Sequence, residues 1–147
     1  MYSVGIYVYH GKAYLPAQAK FESGIWTDID PVFTASLNLD ELVAAIQNVI
    51  AAGHPILPEP TREEWQRRKD PVLTATKARS WKALAKNGAS YSIYQKDDEI
   101  RVDMSYTDKK GRWQNDPQKV RIFPGDAPLK EIVQVILDDI QSRPKVF

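Results

Sequence analysis

A chain of 147 residues, 43% hydrophobic and 27% charged, has the makeup of a soluble globular protein and the length to bury one sizeable core. The absence of cysteine excludes a disulfide framework, a thiolate nucleophile and a cysteine-based zinc site. A formal net charge of +1, no apolar run near the roughly 18 residues of a membrane span, and an N-terminus without a basic or apolar leader region predict a cytoplasmic protein that avoids membranes.

Val4, Ile6 and Val8 alternate with Gly5, Tyr7 and Tyr9, which predicts a strand over 4–9. His10-Gly11-Lys12 reads as a hairpin turn and residues 13–21 as a second strand, disturbed at Pro16, which belongs on an edge or bulge. A turn at 22–24 leads to a third strand over 32–36. Asp28-Ile29-Asp30-Pro31 reads as a turn whose side chains bond the backbone. Asn38 with Glu41 fits a capping box. Leu39, Leu42, Val43, Ile46, Val49 and Ile50 then recur at helical spacing until Gly53.

Three prolines within 54–60 predict an extended connector. Thr61 and Glu64 form a second capping box opening a helix to about Lys69, and Asp70-Pro71 interrupts it. Ser80 caps one more helix over 81–87, with Trp65, Leu73, Trp81 and Leu84 as the buried residues of this segment. Residues 91–94 and 100–106 read as a hairpin closed across 95–99, and 108–111 as a turn. Residues 120–123 form another strand, and Asp126 is expected to cap a last helix carrying Leu129, Ile132, Val133, Ile136, Leu137 and Ile140, with Arg143-Pro144 ending it.

The chain says one thing twice. Gly24-Ile25-Trp26-Thr27-Asp28 precedes a Leu39-Asp40-Glu41-Leu42 helix start, and Gly111-Arg112-Trp113-Gln114-Asn115 precedes Leu129-Lys130-Glu131-Ile132. The predicted fold is α+β: two βββα repeats, at about 1–53 and 89–147, joined by a helical insert at about 54–88 into one two-layer domain spanning 1–147. A bare three-stranded unit has too little core to stand alone, so the halves must share one sheet or core. The long helices are expected on one face, with the middle helices bridging an edge. Matching Trp26 and Trp113 point to a shared packing role, in the core or on a half-buried ledge.

Little in the residue pattern supplies chemistry. His10 and His54 are the only histidines and have no carboxylate at ligand spacing, so neither a metal nor a cofactor is expected. Ser3, Ser80 and Ser105 lack a nucleophile elbow, and the seven glycines form no phosphate-binding loop. Charge is uneven: residues 1–60 carry two bases against six acids, and 61–90 carry eight bases against three acids. The acids at Asp28 and Asp30, at Asp97, Asp98 and Glu99, and at Asp103 are candidate negative patches for a cationic partner. Tyr91, Tyr94, Lys109, Lys110 and Arg112 offer the alternative, rings and bases for nucleic acid. Interleaved acids and a sequence pI near 7.9 weigh against direct nucleic acid binding.

Several stretches carry a resemblance: Met1-Tyr2-Ser3-Val4-Gly5-Ile6-Tyr7-Val8, Trp65-Gln66-Arg67-Arg68-Lys69-Asp70-Pro71-Val72-Leu73, Arg79-Ser80-Trp81-Lys82-Ala83-Leu84, Asp108-Lys109-Lys110-Gly111-Arg112-Trp113 and Ile140-Gln141-Ser142-Arg143-Pro144. In texture, over nearly the whole chain, the sequence resembles immunity proteins of bacterial contact-dependent growth inhibition systems. The resemblance implies a non-enzymatic cytoplasmic inhibitor that binds the C-terminal domain of a cognate toxin. Many such toxins are nucleases, often tRNases, and occlusion of the basic active site would neutralise them. The candidate acids would then be toxin contacts. The alternative function is an antitoxin-like nucleic-acid-binding or regulatory module.

Overall fold

The computed structural model describes residues 1–143, so the expected stop at Pro144 lies outside the described residues. The first hairpin joins β1 (Tyr2–Tyr9) to β2 (Lys12–Phe21) through a two-residue turn. His10 and Gly11 both take positive φ (49° and 73°), the backbone that matches the twist of a tight hairpin. Chain order continues with β3 (Trp26–Ser36), α1 (Leu39–Ala52), β4 (Ile56–Leu57), α2 (Arg62–Arg67), α3 (Pro71–Thr76) and α4 (Trp81–Lys86). The second half contributes β5 (Gly88–Lys96), β6 (Glu99–Thr107), β7 (Trp113–Asn115), β8 (Arg121–Pro124) and α5 (Leu129–Ser142).

Among the described residues, eight strands join one mixed sheet in the order β3-β2-β1-β5-β6-β7, with β4 parallel to β2 and β8 antiparallel to β6. The halves meet at its centre, where β1 and β5 pair antiparallel along their length, from Tyr2 opposite Gln95 to Tyr9 opposite Gly88. One face carries Val4, Ile6, Val8, Leu15, Ile93, Ile100 and Val102 into a continuous core with Leu42, Ile46 and Val49 of α1 and Ile132, Ile136 and Ile140 of α5. Burial of each such side chain contributes about 1.5–3 kcal/mol, enough collectively to offset much of the ordering entropy.

Four expectations need correction. The third strand begins at Trp26, so Asp28-Ile29-Asp30-Pro31 lies inside β3, as a bulge with a cis Asp30-Pro31 bond where the register with β2 shifts between Pro16 and Ala17. Asp70-Pro71 does not merely interrupt. The Asp70 carboxylate accepts from the Val72 and Leu73 amides, and Pro71 starts α3, where its missing N–H costs nothing. Asp126 does not cap α5; Pro128 holds that position without a side-chain bond. Trp65 and Trp81 are 49% and 36% exposed, while Leu84 is fully buried.

The insert's placement also differs. Instead of bridging an edge, it starts beside β4 and crosses the sheet face opposite α1 and α5. Trp65 packs edge-on to Phe21, α3 lies against β2 and β3, and Trp81 tilts onto Tyr7, whose neighbours Ile6 and Val8 point to the main core. Val72, Leu84 and Ala85 are buried outside that core. Gly88 makes the junction possible: a Cβ there would sit 2.5 Å from the Val8 carbonyl oxygen and 2.7 Å from that of Leu84.

Candidate functional site

The face under the insert is polar because β1 alternates. Ser3, Gly5 and Tyr7 point away from the core, and β2 and β3 add Gln18 and Asp28. The Tyr7 hydroxyl donates to Asp28 Oδ2 (2.9 Å), the Gln18 amide donates to Asp28 Oδ1 (2.9 Å), and the Ser3 hydroxyl donates to Gln18 Oε1 (2.6 Å). Arg68 donates to the Asp28 backbone carbonyl and faces Asp70 at 3.7 Å. Gly5 leaves room for this chain of bonds, since a Cβ there would lie 3.1 Å from Gln18 Nε2.

Burial pushes the Tyr7 hydroxyl well above its ordinary range, helped by the adjacent Asp28 charge. Burial also raises Asp28, against the lowering effect of its bonds from Gln18 and Tyr7. Trp81 and Trp113 pack against Tyr7 in tilted arrangements, with ring centroids 5.4 and 5.9 Å away. The Trp113 Nε1–H is buried without a protein partner. Every oxygen of the Asp28 carboxylate is thus engaged internally, and this network is a structural element of the sheet.

His54 has a comparable task. β1 and β2 pair only from Tyr7–Tyr14 to Tyr9–Lys12, and beyond that point they part. The segment entering the gap lets His54 Nε2 accept from the Ser3 amide (3.1 Å) while Nδ1 lies 2.8 Å from the Gln18 carbonyl oxygen. An amide can only donate and a carbonyl only accept, so the proton sits on Nδ1 and the ring bridges the two strands.

The six candidate acids therefore divide. Asp28 is held inward, and Asp103, 9% exposed, is bound by Arg101 through contacts of 3.1–3.2 Å. Asp30 is exposed on the β3 bulge, away from the others in the sheet order. Asp97, Asp98 and Glu99 are exposed together at the β5–β6 tip, where Asp97 takes positive φ (55°). The Gly125 amide donates to the Asp98 carbonyl (2.7 Å), and a Cβ on Gly125 would lie 2.9 Å from the Asp98 backbone, which brings exposed Asp126 beside the tip. None of these four acids has an ion-pair partner among the described residues.

The alternative set is dispersed. Tyr91 is 3% exposed, on the core face, and its hydroxyl donates to Asp139 of α5 (2.7 Å). Tyr94 pairs with Arg101 near the acidic tip, whereas Lys109, Lys110 and Arg112 sit beyond the other end of β6. Trp26 and Trp113 are both half-buried, Trp26 edge-on to His54 and Trp113 against Tyr7 and Trp81.

No protein-family model matches the chain, and no curated protein does. A solved structure does: a Neisseria meningitidis protein of unknown function, NMB0488, has TM-score 0.67 at 16% identity, covering 95% of this chain and 94% of that one. At that identity the likeness shows a shared fold. Among the described residues no group of three or more His, Cys, Asp or Glu side chains is placed to hold a metal ion, and no helix is long and apolar enough to cross a membrane.

Residues missed in the sequence reading include Gln18, Arg68 and Asp139. Only the alternation of Gly5, Tyr7 and Tyr9 with Val4, Ile6 and Val8 signalled a second face; nothing local to Gln18 or Arg68 indicated their partner Asp28, 10 and 40 residues away.

Proposed function

We propose that this chain is a cytoplasmic immunity protein that binds a cognate contact-dependent growth inhibition toxin domain, a nuclease of the tRNase kind, and occludes its basic active site. The observation that carries the reading is the β5–β6 tip: Asp97, Asp98 and Glu99, with Asp126 beside them, exposed and without an ion pair among the described residues, although Lys96 and Arg101 flank them. A backbone-pinned group of carboxylates presents negative charge with little entropy left to lose, which suits a cleft built for phosphates. Inhibition of this kind needs no chemistry from the inhibitor. The two halves, β1-β2-β3-α1 and β5-β6-β8-α5, are read as repeats of one βββα unit whose first strands pair at the centre.

Charge reversal tests the contact. The variant Asp97→Lys/Asp98→Lys is expected to weaken toxin-domain binding at least tenfold by calorimetry, about 1.4 kcal/mol, with its melting temperature within a degree or two of wild type. Unchanged affinity would remove the tip from the interface.

A further inference from the structure

At the other end of β6 the charge has the opposite sign. We propose that the groove between α4 and the β6–β7 turn is a binding surface for the phosphate backbone of a nucleic acid. Arg79, Lys82 and Lys86 line one wall and Lys109 and Lys110 the other, around an open cavity of about 600 Å³. All five are exposed, and none lies within ion-pair distance of a carboxylate among the described residues.

The one acid in the groove is already spent on its own turn. Asp108 accepts from the Lys110 and Arg112 amides (2.9 and 3.0 Å) and from the Gln114 amide (3.1 Å), and faces Arg112 Nε at 3.5 Å. The same bonds fix the turn that carries Lys109 and Lys110. The second wall is fixed too: Ser80 caps α4 through the Ala83 amide, and Thr107 donates to the Ala85 carbonyl, tying α4 to the end of β6. Gly111 lets the Lys82 stem cross the turn, because a Cβ there would lie 3.1 Å from Lys82 Cε.

Five unpaired cations on two fixed walls, with one neutralised acid, make a field for a polyanion. One feature favours nucleic acid over an acidic protein. Among the residues that line it, the groove offers only Ala83 as an apolar side chain, and protein interfaces draw most of their affinity from buried aromatic and aliphatic anchors. Phosphate binding needs no such anchor, since counterion release supplies the affinity. The chain-wide pI masks this groove because the acids Asp97, Asp98 and Glu99 lie at the far end of a nine-residue strand, about 26 Å away, while Asp103 in mid-strand is bound by Arg101. The inference is independent of the toxin reading, which uses that other end.

The test is fluorescence anisotropy of a labelled single-stranded RNA of mixed sequence, with polyglutamate as competitor and salt varied from roughly 50 to 200 mM. Wild type is expected to bind with a slope of log affinity against log salt near −3.5, from five contacts at about −0.7 each. Lys109→Ala/Lys110→Ala is expected to weaken binding about tenfold and flatten the slope by about 1.4. Lys82→Glu/Lys86→Glu should abolish binding. Circular dichroism melts establish that each variant is folded, and Asp97→Lys/Asp98→Lys should retain the groove's dependence on Lys82 and Lys109. Absence of binding at the lowest salt, equal binding by the folded lysine variants, or displacement by polyglutamate at equal charge concentration would overturn the proposal, the last in favour of an acidic protein.

Discussion

The Tyr7 hydroxyl reaches over β2 to donate to Asp28 Oδ2 at 2.9 Å, linking strands that are not neighbours in the sheet. Gln18, on the intervening strand, donates to the other oxygen, so three strands share one carboxylate beneath the helical insert. Replacing Asp28 strands a tyrosine hydroxyl and an amide in a buried setting.

Asp28→Ala is therefore expected to lose about 2–6 kcal/mol of stability, each of the two orphaned groups costing about 1–3 kcal/mol. Asp30→Lys, on the exposed bulge, should leave the melting temperature nearly unchanged. Chemical denaturation of the two variants side by side checks the contrast, and equal stability would refute the shared-carboxylate account. Burial raises the Asp28 pKa, so the folded protein holds this proton more tightly than the unfolded chain. Its contribution is then fully present below the ordinary carboxylate range and is lost as pH rises through the raised folded value.

Asp139 has the opposite sign. Burial alone would raise it, but bonds from Lys119 (2.7 Å), Tyr91 (2.7 Å) and Arg143 (2.8 Å) prevail and hold it below the usual carboxylate range. Its contribution is present above about pH 4 and is lost as pH falls through the lowered folded value. Asp139→Asn should flatten the acid limb of a stability–pH curve while wild type keeps it. Arg143 also donates to the Ser105 carbonyl, so the cluster fastens the end of α5 to β6.

The long helices and most strands were legible because their signal is local: a six-residue apolar stripe after Asn38, and alternation along 4–9 and 100–106. The insert's position was not, because short helices of six residues carry no decisive stripe and their packing depends on partners such as Tyr7 and Asp28 on distant strands. For the same reason Asp28 resembled a surface turn residue. Its neighbour Pro31 suggested a break, whereas the chain absorbs that proline as a bulge and continues β3. The tip acids Asp97, Asp98 and Glu99 were readable because charge at a hairpin turn requires no long-range information.

His54→Ala should cost about 2 kcal/mol, since the Ser3 amide and Gln18 carbonyl lose their bridge where β1 and β2 part. Hydrogen exchange of the Ser3 amide, faster in the variant than the global stability loss accounts for, is the expected local signature.

Gly88→Ala should be more damaging than its φ implies. A methyl group 2.5 Å from one carbonyl oxygen and 2.7 Å from another forces the α4–β5 junction to move, at a cost of about 1–3 kcal/mol or more. A thermal melt within a degree of wild type would contradict the close approach.

The immunity reading is tested most directly by growth. The account predicts a toxin encoded beside this chain: cells expressing its C-terminal domain should survive when this chain is co-expressed, and the two proteins should co-purify as a stable complex. Survival should fail with Asp97→Lys/Asp98→Lys although that variant accumulates in folded form. Growth arrest with the wild-type chain abundant and no complex recovered would contradict the account.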